Sequence, residues 1–172
     1  MPDWALQTVR VPALGPDAFA VPAAGGRIRV LRVIPGQLLT AAEEADPKLQ
    51  EGRVVADPDR DLVKIAVVER HHGTGRVGLG FATGVGLKRG AFASTVAHDA
   101  HNIVLLGVDD RDLAACVRRL AELGGGIVIA EGGRIEAELP LPVAGLLSDR
   151  PFEEVARKLE EMELRLAGMG VT

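Results

Sequence analysis

Ala91-Phe92-Ala93-Ser94-Thr95-Val96-Ala97-His98-Asp99-Ala100-His101-Asn102-Ile103-Val104-Leu105-Leu106-Gly107-Val108 is the stretch that sets the fold of this chain. Two apolar runs, Ala91–Ala97 and Ile103–Val108, flank a polar turn, His98–Asn102. Short apolar runs bounded by turn residues read as strands, so the stretch predicts two strands joined through the turn. The period then changes. From Asp110 to Leu123, Leu113, Val117 and Leu120 recur at helical spacing. Asp109 is placed as the N-cap, and Asp112 adds charge that suits the first turn. Gly124-Gly125-Gly126 stops this helix. Ile127–Ala130 and Arg134–Leu139 predict a hairpin about Glu131-Gly132-Gly133.

Working outward, Leu62–Val68 is a β-branched apolar run and a predicted strand. His71-His72-Gly73-Thr74-Gly75 breaks it as a loop, and Val77–Phe81 predicts a further short strand. Arg27–Ile34 alternates as a half-buried strand that Pro35-Gly36 ends. Residues 40–60, polar with two prolines, predict a loop with a short helical turn. Residues 1–26 read as an extended arm with one short strand near Leu6–Val11. The last helix starts near Pro151, carries a stripe of Phe152, Val155, Leu159, Met162 and Leu166, and closes at Gly168. Together these predict an α/β fold, with an α+β variant as the alternative: a mixed β-sheet covered by helices, mainly on one face. It forms a single domain over 27–172, after the arm 1–26.

Composition narrows the function classes. The chain has 172 residues, suited to one domain, and is 47% apolar, enough for a real core. Aromatics are only 3%, so the core is built of Val, Ile, Leu and Ala rather than of base-stacking rings. Net charge is −4 with no basic block, which argues against nucleic-acid binding. The single cysteine, Cys116, has no internal disulfide partner and favours a reducing, cytoplasmic setting. No apolar run reaches the roughly 18 residues of a membrane span, and Met1-Pro2-Asp3-Trp4 lacks a signal-peptide pattern.

All four histidines lie between His71 and His101. A His beside an Asp, as in His98-Asp99, can be held in one tautomer and act as a general base. Asn102 offers a donor and an acceptor, which suits a purine edge. The plain alternative is a polar turn whose side chains cap backbone groups. His71 and His72 follow a strand, where ligand contacts often sit. Neighbours on a strand face opposite ways, so the two would not share an ion unless the loop bends. The glycines from Gly73 to Gly90 read as turns and bulges, since no phosphate-loop string or following helix accompanies them. Lys88-Arg89 reads as a solvated turn. Ser94 and Ser148 lack a nucleophile setting, and Cys116 reads as core.

Several uncommon strings carry a resemblance. They are Trp4–Arg10, Val33-Ile34-Pro35-Gly36-Gln37, Asp61–Gly75 with its Glu69-Arg70-His71-His72, and Gly86–Ala91. The His98 segment, Gly124–Val128 and Glu138–Asp149 follow in order. In this order they resemble the carboxy-terminal domain of adenine deaminase, in the amidohydrolase superfamily. The resemblance implies part of an enzyme that hydrolyses adenine to hypoxanthine and ammonia. It also implies a TIM-type barrel before this domain, holding a binuclear manganese or iron centre that activates water, and a further apolar segment after it. Neither is in this sequence, so the chain is expected to be a fragment or a truncated homologue. No catalytic residue, metal ligand or cofactor is assigned to the chain itself. Its expected partners are the missing barrel of the same enzyme and further copies in a homo-oligomer, with no nucleic acid and no membrane. Its expected role is to complete or cover the active site or to build the oligomer, and alone it is expected not to deaminate. The alternative is a stand-alone structural or small-molecule-binding module. The candidates for loops at the substrate site are His71, His72, His98, Asp99, His101 and Asn102.

Overall fold

The computed structural model describes residues 5–171. In chain order the first strands are β1 (Val21–Pro22), β2 (Ile28–Val33), β3 (Thr40–Ala45), β4 (Lys48–Gln50) and β5 (Arg53–Val55). β6 (Val63–Val68), β7 (Val77–Thr83), β8 (Ala91–Ser94) and β9 (Ile103–Gly107) follow, then helix α1 (Asp110–Leu123). β10 (Gly126–Glu131), β11 (Arg134–Pro140) and helix α2 (Phe152–Gly168) complete the fold. The main sheet has eight strands in the order β11-β10-β8-β9-β6-β7-β2-β3. It is mixed: β2 and β7 run parallel, and the other neighbours antiparallel. A small sheet, β1-β5-β4, stands beside it.

Strand alternation assigns the two faces. Ala91, Ala93, Ile103, Leu105, Val128 and Ala130 turn to α1, meeting Leu113, Cys116, Val117 and Leu120. Phe92, Leu106, Ile127 and Ile129 turn the other way, to Val155, Leu159, Met162 and Leu166 of α2. The two helices therefore lie on opposite faces, not mainly on one as the sequence suggested. The reason is visible in Ile127-Val128-Ile129-Ala130, apolar at consecutive positions, which demands cover on both sides. The small sheet packs over the β2–β7 end, where Val54 meets Val30, Leu62 and Phe81.

Helix α1 forms where the sequence places it. Asp109 accepts from the N–H of Arg111 at 2.7 Å, and Gly124 closes the helix in the left-handed region, φ 74°. Three further expectations change. Residues 40–60 hold three strands besides the helical turn at Pro58–Arg60. Of these, β3 is Thr-Ala-Ala-Glu-Glu-Ala, poor in β-formers. It forms as a charged edge strand, tied diagonally by Arg32–Glu43 at 2.5 Å. No strand forms over Leu6–Val11; Val9, Val11 and Leu14 instead lie against the core that Phe19 enters. The stripe on α2 begins at Val155, for Phe152 is 79% exposed. Among the described residues no helix is long and apolar enough to cross a membrane.

Candidate functional site

The last residue of β6, Val68, pairs with the first of β9, Ile103. The loops beyond them, 69–76 and 95–102, therefore leave one end of the sheet side by side. Glu69 shapes the first. Its carboxylate accepts from the N–H of His71 at 2.5 Å, of His72 at 2.7 Å and of Thr74 at 3.1 Å, and from the Thr74 hydroxyl at 2.9 Å. The second loop is a tight turn in which the His101 N–H donates to the Ala97 carbonyl at 2.9 Å. Two of its residues, Asp99 (φ 66°) and His101 (φ 46°), take the left-handed conformation that side chains rarely adopt.

His71 joins the loops. Its Nε2 lies 2.8 Å from the Ala100 carbonyl oxygen, and since a carbonyl only accepts, Nε2 carries the proton in this contact. His98 and Asp99 form the solvent-exposed tip, with Nδ1 3.1 Å from Oδ1 and side chains 96% and 88% exposed. His72 is also exposed, 3.5 Å from Glu69. His101 and Asn102 are half-buried. His101 Nδ1 and Asn102 Oδ1 have no hydrogen-bond partner among the described residues. The structure thus sets His71 against the backbone of the turn that carries His101 and Asn102, places His98 and Asp99 at the exposed tip of that turn, and leaves His72 beside Glu69.

Beneath the loops lies Arg70, 2% exposed. Its Nε donates to the His101 carbonyl, Nη1 to the Thr8 hydroxyl at 3.2 Å, and Nη2 to the Ala144 carbonyl at 3.1 Å. Burial pushes the guanidinium below its ordinary value, yet an arginine stays charged. Gly145 (φ 70°) must be a glycine, because a β-carbon there would run into that guanidinium. Thr95, also buried, donates to the Gly145 carbonyl at 2.6 Å and accepts from the Gly126 N–H at 2.8 Å. The Ala144 N–H donates to the Ala5 carbonyl at 2.6 Å. So the start of the described chain, residues 5–10, reaches the same sheet end as the histidine loops and is tied to them.

Arg70 and Thr8 were not among the candidates read from sequence, and Glu69 was weighed there only as one of the groups able in principle to ligate a metal. A signal for Arg70 was present: it continues the core-facing alternation of Ala66 and Val68, an unusual place for a charge. Among the described residues no three His, Cys, Asp or Glu side chains converge to hold a metal ion. The cluster does not fit a binuclear centre. Two clefts lie elsewhere, one lined by Arg119, Glu138 and Lys158, the other by Arg29, Leu31 and Phe81, and neither contains a histidine.

The family model described as "Adenine deaminase C-terminal domain" matches residues 37–172. The chain is 48% identical over 167 residues to an adenine deaminase of Oleidesulfovibrio alaskensis, covering 97% of this chain and 29% of that one. It is 50% identical over 142 residues to an adenine deaminase of Desulfatibacillum aliphaticivorans, covering 83% and 25%. It is 44% identical over 169 residues to an adenine deaminase of Archaeoglobus fulgidus, covering 98% and 29%. The chain therefore spans less than a third of the length of these curated relatives. With most of its length matched and every one of its paired loops inside that match, the chain belongs to the adenine deaminase C-terminal domain family.

Proposed function

We propose that this domain serves the hydrolysis of adenine to hypoxanthine and ammonia by docking its histidine-bearing sheet end against the polypeptide that precedes it. One observation carries the reading: residues 5–10, through which a preceding domain connects, run into the loops of His71 and His101 and are tied to them through Arg70. In the relatives the remainder amounts to about 71% of the polypeptide, and the family's name puts this domain last. A large body attached at this end has these loops before it.

The turn has the groups for a supporting role. Asp99 can accept from His98 Nδ1, which frees Nε2 to take a proton. Asn102 and His101 hold buried, unpaired polar atoms whose chemistry suits a heterocycle's edge, to be reached by rotation of the side chains on docking. The manganese or iron that the resemblance implies belongs, in this reading, to the preceding domain, because the described residues do not fit it. A homo-oligomer in a reducing cytoplasm is part of the same reading. It is supported by Leu31, Leu38 and Leu39, left exposed on the β2–β3 hairpin, and by the lone buried thiol.

The test is kinetic. In a longer relative, His101→Ala at the matching position lowers the deamination rate by a larger factor than it lowers the folded fraction. This chain alone, supplied with manganese, releases no ammonia above background. An unchanged rate in the variant, or chelator-sensitive ammonia release by the isolated chain, overturns the proposal.

A further inference from the structure

We infer that Arg70 is a positioning residue: it fixes the backbone of His101 against the segment through which the preceding polypeptide arrives, so that docking and the placing of the histidine turn are one event. The inference rests on the reading above that this turn serves deamination. The first support is the chemistry of the burial. Arg70 is 2% exposed, yet no carboxylate among the described residues pairs with it. Its acceptors are two carbonyls and a hydroxyl, drawn from three separate segments, at His101, Thr8 and Ala144. A buried charge without a counter-charge is a poor way to fill a core, and hydrocarbon of similar volume would pack better. The arrangement makes sense as geometry. A guanidinium is a rigid planar fork whose donors reach several acceptors at fixed angles, which a lysine ammonium cannot reproduce.

The second support is where the fork takes hold. It grips the carbonyl of His101, a residue at φ 46°, with Asp99 at φ 66° two positions earlier. Such conformations persist only when the surroundings over-determine them, and the Nε–H donation supplies that restraint. The third is what the turn does with the side chains it holds. His101 Nδ1 and Asn102 Oδ1 are left without partners among the described residues. Buried polar groups are ordinarily satisfied. With its backbone pinned and two polar atoms buried without partners, the turn is incomplete in the domain by itself, and a side-chain rotation on docking would bring those atoms to a partner.

The experiment compares Arg70→Lys, Thr8→Val and His101→Ala at the matching positions of a longer relative. Kinetics are normalised to folded enzyme, and amide hydrogen exchange is followed through 97–102. Small misplacements of a catalytic constellation cost up to about 100-fold in rate. Arg70→Lys is expected to lower kcat toward the His101→Ala value with KM for adenine little changed, and to quicken exchange in the turn. If Arg70→Lys leaves kcat per folded molecule unchanged while His101→Ala lowers it, Arg70 only stabilises the fold and this inference fails alone. If His101→Ala leaves kcat unchanged, the reading beneath fails and takes the inference with it. If Arg70→Lys does not fold, Thr8→Val decides. It frees one arm of the fork without touching the turn, and should lower kcat by a smaller factor and quicken exchange at 97–102. No change in either measurement overturns the inference.

Discussion

Glu69 and Cys116 are two acids held far from their ordinary titration, in opposite directions. The Glu69 carboxyl is drawn from 4.5 down to about 2, first by the N–H of His72, then by the N–H and hydroxyl of Thr74 and the N–H of His71, against burial that pushes it up. A carboxylate depressed in the fold adds stability above its unfolded value and loses it as pH falls through the folded one. The loop 69–76 should therefore be fully held above pH 4.5 and loosen between about 4.5 and 2. A melting series across that window should show a decline that Glu69→Gln flattens; identical profiles for the two proteins would refute the role given to Glu69. Cys116 is pushed up to about 12, by burial first and by the charge of Asp112 second. Since the thiolate is the reactive form, a disulfide reagent at pH 8 should label Cys116 only after unfolding. Rapid labelling of the native chain would contradict the core packing of α1 on β8 and β10.

At the scale of elements, helices and buried strands were legible because their patterns are strong. Leu113, Val117 and Leu120 keep helical spacing between a capping Asp109 and Gly124, and α1 follows those bounds. β3 was not legible. Its Ala and Glu residues have no β-pattern of their own, and it exists because β2 lies beside it with Arg27 and Arg32 to receive its carboxylates. Leu6–Val11 erred the other way: an apolar alternation that finds core contacts finds no neighbouring strand to pair with. The site was legible in part. The histidine loops do meet, and the inward place of Arg70 follows from its alternation with Ala66 and Val68, but its partners at Thr8, His101 and Ala144 are a tertiary fact, set by which segments the sheet brings to one end. The stripe on α2 has its anchor at Met162, 2% exposed, while Leu159 is half-buried. Met162→Ala should cost about 2–5 kcal/mol in chemical denaturation and Leu159→Ala less. Equal and negligible losses would mean that α2 does not pack on β10 and β11.

For the whole molecule, the two ends of the sheet differ in what they offer. The end beyond Val68 and Ile103 carries the histidine loops, Arg70 and the incoming segment. The hairpin tip between β2 and β3 lies at the other end, since β2 runs parallel to β7 and β7 antiparallel to β6. It leaves Leu38 and Leu39 in solvent. If copies associate through this hairpin, sedimentation equilibrium of the chain should show a self-associating species that Leu38→Asp with Leu39→Asp disperses; an unaltered distribution would assign the oligomer to another surface. The central claim, that the histidine end is the docking face for the preceding domain, has a more direct test. Amide hydrogen exchange should be compared between this domain alone and the same domain within a full-length relative. The account predicts that residues 70–75 and 97–102 gain protection in the longer polypeptide while the β2–β3 hairpin tip gains little. Protection gained at the hairpin tip, with the histidine loops exchanging as fast as in the isolated domain, would contradict it.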